Sequence, residues 1–203
     1  MTIIRMLGID PSLTATGYAV CDVDVTRREI VRVLAFDTLK TAPTKVKSVR
    51  KSSDDLARAT TISRGLFDVI RDFDIRFGTS EVPSGAQDAK ASRAFGIVVG
   101  ILSCLPCPLI EVTPTEVKMA SHGTKYADKE DVVRWAVDLT NSTDSKVEWD
   151  TSKKANDWAI EFGDGYVNKT MEHQADAIAA VAAAIQGQTF RQLAGMFASV
   201  TTS

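Results

Sequence analysis

The chain has little cysteine, no long apolar run and no surplus of positive charge. Three cysteines, Cys21, Cys104 and Cys107, stand among 203 residues. An odd, low count makes no disulfide framework and, with no signal peptide, points to a reducing, intracellular compartment. Cys104 and Cys107 form a C-x-x-C, "CLPC". A zinc site would need a second such pair, which is missing, so buried thiols at a helix end are favoured over redox or metal chemistry. The N-terminal apolar run is short and broken by Arg5, and nothing approaches the ~18 apolar residues that span a membrane. A net charge of −2 speaks against indiscriminate nucleic-acid binding. Internal repeats and low-complexity tracts are absent as well.

What is present is an ordinary globular composition, 44% hydrophobic and 25% charged. A chain of this size buries most of its apolar surface without staples, as one domain or one domain with an elaboration. Positive charge is clustered: "LKTAPTKVKSVRKSS" holds Lys40, Lys45, Lys47, Arg50 and Lys51 without an acid, and Lys118, His122, Lys125 and Lys129 form a second group. Each alone reads as a solvated loop.

Apolar alternation predicts strands over residues 3–9, 16–23 and 30–38, the last two joined by a hairpin through "DVDVTRRE". "SSDD" offers an N-cap for a helix over 53–74, where Leu56, Ile62, Leu66, Val69, Ile70 and Phe73 recur at helical spacing. A strand follows over 77–82, then a helix over 86–104 carrying Gly96 and Gly100. Two helical glycines cost ~1 kcal/mol each against alanine, so a close backbone approach is expected there. "PLIEVT" reads as a fifth strand and "DKEDVVRWAVDL" as a third helix with acids in its first turn. Residues 141–170 are polar and aperiodic, with Trp149, Trp158, Phe162 and Tyr166 beside Lys153 and Lys154. That mix suits stacking on exposed bases and equally suits a self-packed surface excursion. "EHQADAIAAVAAAI" is an alanine-rich helix, and a last short helix covers 190–200. The order predicts an α/β domain built on a mixed sheet.

The first strand ends on Asp10 and the fourth on Glu81, while the alanine-rich helix opens with His173 and Asp176 on one face. Strand ends and helix starts of an α/β sheet share a rim, so three carboxylates and an imidazole converge there. Like charges so placed repel and call for bound cations. Oxygen donors with little sulfur favour Mg²⁺ or Mn²⁺ over zinc. A divalent pair held by carboxylates suits in-line attack on a phosphodiester. Taken singly, each residue has a plainer role: Asp10 as a turn cap, Glu81 in a rim salt bridge, Asp176 facing the helix dipole, His173 as a helix-start histidine.

"LGIDPSLTATGYAV", the acid of "SEVPSG" and "HQADAIAAV" resemble the three signature blocks of the RuvC Holliday junction resolvases, members of the RNase H-like superfamily. The resemblance spans residues 3–139 and 171–186. It implies an RNase H-like fold with a five-stranded mixed sheet flanked by helices, and a single nuclease domain over 1–203 with a polar insertion at about 141–170. It also implies catalytic and metal-holding roles for Asp10, Glu81 and Asp176, with two Mg²⁺ or Mn²⁺ ions. His173 falls where the family has Asp or His, as a ligand or a proton carrier. In "TPTEVKMASHGTKYADKEDVV", Lys118 and Lys129 match basic positions near junction DNA, and Lys125 joins them as an expected DNA contact.

The implied activity is symmetric nicking of four-way junctions in DNA recombination by a homodimer, with the Gly96/Gly100 helix as a candidate interface. The implied setting is the cytoplasm of a bacterium, for a phage-encoded or bacterial protein, with no membrane partner. The chain departs from the family where an aromatic wedge often follows the second acid, since it reads "EVPSGAQ", and in the length of 141–170. The runner-up is a flap, branched-DNA or RNA:DNA hybrid nuclease of the same fold. An actin-like ATPase fragment would need a second phosphate loop, for which "FGDGY" is a weak candidate, and a non-catalytic DNA-binding module would need no acid triad.

Overall fold

In the computed structural model, which describes residues 2–151, 159–162 and 165–200, three antiparallel strands open the chain. These are β1 (Ile3–Asp10), β2 (Ala15–Asp24) and β3 (Glu29–Lys40), and they pair in sequence order. Helix α1 (Lys51–Asp72) then crosses to β4 (Phe77–Glu81), which pairs parallel to β1. Helix α2 (Ala89–Ser103) crosses to β5 (Leu109–Val112), parallel to β4. The sheet order is β3-β2-β1-β4-β5, the expected mixed five-stranded sheet. No helix among the described residues is long and apolar enough to cross a membrane.

Period-two alternation sends the strands' side chains to two cores. Leu7, Ile9 and Val20 pack with Ile62, Leu66 and Ile70 of α1 and Val98, Ile101 and Leu102 of α2. Met6, Ala19, Cys21 and Val23 face the other way, onto α4 (Lys129–Ser142) and α5 (Glu172–Gln186). The chain ends in α6 (Gln188–Val200).

Helix α5 lies unusually close to the sheet. Its alanines are all buried, and two glycines on the strands beneath make room for its main chain. A Cβ on Gly8 of β1 would run into the carbonyl of Ala177, and one on Gly17 of β2 into the carbonyl of His173. Only glycine admits backbone that near.

Several sequence expectations are corrected. Helix α1 starts two residues before the expected position, after Arg50, with no side-chain cap. Asp54, expected near the cap, lies in the first turn and accepts from the Thr44 N–H at 2.9 Å and from Lys51. A helix missed from the sequence, α3 (Pro114–His122), has a capping box of Thr113 and Glu116, with Gly123 left-handed at its end. The C-x-x-C thiols are free, but Cys104 is exposed and Cys107 half-buried, so the expected burial fails for Cys104. Among the described residues nothing approaches Gly96 or Gly100: a Cβ on either would meet open space.

The polar segment begins as a strap over β3. The Lys146 N–H donates to the Val33 carbonyl, and the Val33 N–H donates to Ser145 Oγ. This covers part of a sheet edge that would otherwise offer unpaired backbone groups. Trp149 sets its ring 4.8 Å from that of Phe36 and donates to Thr140 Oγ1. It is half-buried and packs against the edge of the core. Phe162 and Tyr166 fall on two short antiparallel strands, β6 (Ala159–Phe162) and β7 (Gly165–Asn168). Lys153, Lys154 and Trp158 lie outside the described residues.

Candidate active site

The parallel pairing of β1 and β4 places their carboxyl ends side by side, with Ile9 opposite Ser80. Asp10 and Glu81 are the next residues on each strand. By alternation both point to the α5 face, as do Gly8 and Thr79, whose hydroxyl donates to the Ala180 carbonyl. Because Gly8 and Gly17 let α5 settle onto the sheet, its first turns arrive over those strand ends. The His173 ring meets Asp10 there, with Nδ1 2.6 Å from Asp10 Oδ2. Asp176, one turn on, joins Asp10 and Glu81 in lining a cavity of about 380 Å³.

The cavity's other wall comes from α3 and α4. Pro114, Val117 and Lys118 line it from α3, and Asp128, Lys129 and Val132 from the start of α4. The structure thus brings together Asp10, Glu81, Asp176, Lys118 and Lys129, with His173 bonded to Asp10. Lys125 lies apart from the cavity lining, in the α3–α4 loop. Lys129 is already engaged, its Nζ 3.0 Å from Glu172 Oε2. Glu172 was not singled out from the sequence, although it immediately precedes His173.

The loop leaving Asp10 is fixed from behind. Buried Arg58 of α1 donates to the Leu13 carbonyl at 3.0 Å, to Thr14 Oγ1 and to Thr41 Oγ1. No periodicity argument identifies that role, because Arg58 occupies an ordinary helical position.

The carboxyl groups respond to one another. Burial pushes Asp176 up to about 7, reinforced by the charge of Asp10 and, more weakly, by Glu172 and Glu81, while Lys129 opposes. Burial also raises Glu81, with Asp10 adding to the shift and Lys118 opposing it. His173 is raised by its hydrogen bond to Asp10, against the effect of burial, with the charges of Asp10, Glu172 and Asp176 adding. Lys129 is raised by Glu172, Asp176 and Asp10 despite its own desolvation. Burial and neighbouring negative charge together favour the protonated forms of Asp176 and Glu81, and the bond to Asp10 with neighbouring negative charge favours that of His173.

Among the described residues no group of three or more His, Cys, Asp or Glu side chains is gathered into a ready metal cage. The donor chemistry nevertheless fits a hard divalent cation: carboxylate oxygens from three separate elements share one cavity, and burial together with the neighbouring charge of Asp10 disfavours the anionic forms of Glu81 and Asp176. A cation there would replace the protons that burial and neighbouring charge otherwise favour.

No protein-family model matches the chain. It is 26% identical over 133 residues to the crossover junction endodeoxyribonuclease RuvC of Prochlorococcus marinus, covering 64% of this chain and 79% of that protein. To the RuvC of Bartonella tribocorum it is 29% identical over 133 residues, 64% of this chain and 71% of that one. Among solved structures, T. thermophilus RuvC in complex with a Holliday junction substrate superposes with a TM-score of 0.63 at 19% identity, covering 94% of this chain and 97% of that one. The yeast mitochondrial Holliday junction resolvase Ydc2 matches with a TM-score of 0.60 at 14% identity, over 96% of this chain and 84% of that one. The chain is RuvC-like in sequence and RNase H-like in fold.

Proposed function

We propose that this RuvC-like chain is a metal-dependent endodeoxyribonuclease that resolves four-way DNA junctions by paired, symmetric nicks during recombination. The observation that supports it most is the convergence of Asp10, Glu81 and Asp176 on one cavity whose opposite wall carries Lys118 and Lys129. The assembly is acidic enough to hold cations and flanked by charge suited to phosphates.

Asp10, Glu81 and Asp176 would hold two Mg²⁺ or Mn²⁺ ions, with His173 as a further ligand or as a proton carrier. When bound, the ions supply Lewis acidity for attack of water on the phosphodiester and for departure of the 3′ oxygen. Asp10 orients the imidazole through Nδ1 and stabilises its charged form. A protonated His173, bonded to Asp10 of the cavity lining, would then deliver a proton to the departing 3′ oxygen. Lys118 faces Glu81 electrostatically and would bind the phosphate next to the scissile one. Lys129 would guide the strand from its anchor on Glu172, and Lys125 would contact DNA beyond the cavity.

Two symmetric cuts require two sites related by a twofold axis. The open face of α2 at Gly96 and Gly100 is the proposed interface between two copies. The whole of residues 1–203 would serve as one nuclease domain, with about 141–170 as its insertion.

Cleavage of a panel of four-way junction, flap, fork and RNA:DNA hybrid substrates with Mg²⁺ tests this reading. Preferential paired nicking of the junction is expected. Preferential cutting of the hybrid or flap would replace it with the broader nuclease reading.

A further inference from the structure

The α3–α4 loop carries an aromatic side chain that packing does not explain. Tyr126 is 80% exposed, the most exposed large apolar or aromatic side chain among those the structure describes. Burial of apolar area normally holds such a ring, and here most of that gain is forgone. Its only described ring contact is with Lys125, whose Nζ sits 5.1 Å from the ring centroid.

The main chain beneath the ring is nonetheless firmly set. Gly123 closes α3 in the left-handed conformation, with its N–H donating to the Met119 carbonyl. The Tyr126 N–H donates to Thr124 Oγ1, and the Ala127 N–H donates to the Thr124 carbonyl. Ala127 is buried, and Asp128 caps α4 through a capping box with Asp131. A ring with few rotatable bonds is thus presented outward from a loop fixed at both ends, two residues before Asp128 on the cavity wall. Such pre-ordering lowers the entropy lost on binding a flat partner.

The surroundings specify that partner. His122, Lys125 and Lys129 are exposed beside the ring in sequence, and Lys118 lines the adjoining cavity. A lysine over an exposed aromatic ring, with further lysines nearby in the chain, suits a polyanion that also offers planar, unpaired rings. That describes a nucleic acid strand with an unstacked base.

We infer that Tyr126 is a base-stacking site that receives an unpaired nucleobase of the DNA held by the adjoining cavity. The inference rests on the nuclease reading above and deepens it. A fully paired duplex offers no free base face, so the ring would favour substrates whose pairing is opened at a branch. Lys125 would then turn from the ring to the neighbouring phosphate.

The test uses the full chain in EDTA, with a four-way junction and a single-stranded oligonucleotide each carrying 5-iodouracil. Irradiation should give an adduct on Tyr126, located by peptide mass spectrometry. Tyr126→Ala should weaken binding of both probes by about 5- to 150-fold, the span for one stacked base. Binding to linear duplex should be nearly unchanged. Tyr126→Phe should retain affinity because the π face is kept, and Tm should hold in both variants because the ring is exposed. Wild-type affinity for both probes in Tyr126→Ala, with no adduct on Tyr126, would overturn the inference while leaving junction cleavage intact. A wild-type chain that binds neither probe more tightly than duplex would overturn both the inference and the reading beneath it.

Discussion

Two pairs of glycines occupy opposite situations in this molecule. Gly8 and Gly17, on adjacent strands, are filled by the main chain of α5. Gly96 and Gly100, on the face of α2, meet nothing among the described residues. In sequence the α2 pair is the more conspicuous, because glycine is costly in a helix and the spacing forms a stripe. Yet the quieter strand pair sets the site. Without those two missing side chains, α5 could not bring His173 to Asp10 or Asp176 to the strand ends.

The largest effect should follow from filling the strand pair. Gly8→Ala or Gly17→Ala drives a methyl group into main-chain oxygen, which has no rotamer to yield. Each should cost roughly 3 kcal/mol or more in denaturant unfolding and abolish cleavage. Near-normal stability for either would mean that α5 has slack over the sheet, and the contrast between the pairs would fail.

Divalent cation and pH should expose the charge that α5 carries into the site. Asp176 rises from an ordinary 3.8 to about 7 on folding. The folded chain therefore keeps a proton that the unfolded chain has lost between those values, and stability falls as pH rises through that window. His173, also raised, adds stability below its ordinary 6.5 that disappears as pH climbs through its folded value. With chelator present, Tm should be lower at pH 8 than at pH 5.5. Mg²⁺ should restore more at pH 8 than at pH 5.5, and Asp176→Asn should flatten the dependence. A chelated protein whose Tm rises from pH 5.5 to 8 would contradict the crowding.

The smallest effect belongs to the open pair. Gly96→Ala and Gly100→Ala should each stabilise the separated chain by roughly 0.5–1 kcal/mol, since a methyl group meets only space and the helix gains propensity. In the proposed dimer the same methyl groups should weaken association, read as a rise in the dimer dissociation constant by sedimentation. Unchanged association would move the interface away from this face.

The long elements were legible because burial on one side writes a clear period. The mixed sheet followed from their succession, and the ends at Asp10 and Glu81 pointed to a shared rim. Helix α3 was missed because only Val117 and Ser121 of its nine residues are buried, too few for a stripe. Its caps, Thr113 with Glu116 and then Gly123, were the available signal. The strands β6 and β7 span four residues each, too short for alternation to stand out in a polar stretch.

Other features depend on neighbours that sequence does not name. Trp149 reads equally as a base-stacking or a core residue until Phe36 and Thr140 are placed beside it. Lys129 reads as a free cation until Glu172 is found against it. A glycine is the same letter whether its missing side chain leaves room for a helix or for solvent.

The central claim is that α5 descends through Gly8 and Gly17 to complete a phosphodiester-cleaving site around Asp10. The most direct measurement is Asp10→Asn assayed side by side for junction binding and for Mg²⁺-dependent cleavage. The substitution keeps the side chain's shape and removes the charge to which Glu81, Asp176 and His173 all respond. Cleavage should disappear while junction binding is retained or strengthened, because one negative charge near phosphate is gone. Wild-type cleavage by Asp10→Asn would contradict the account.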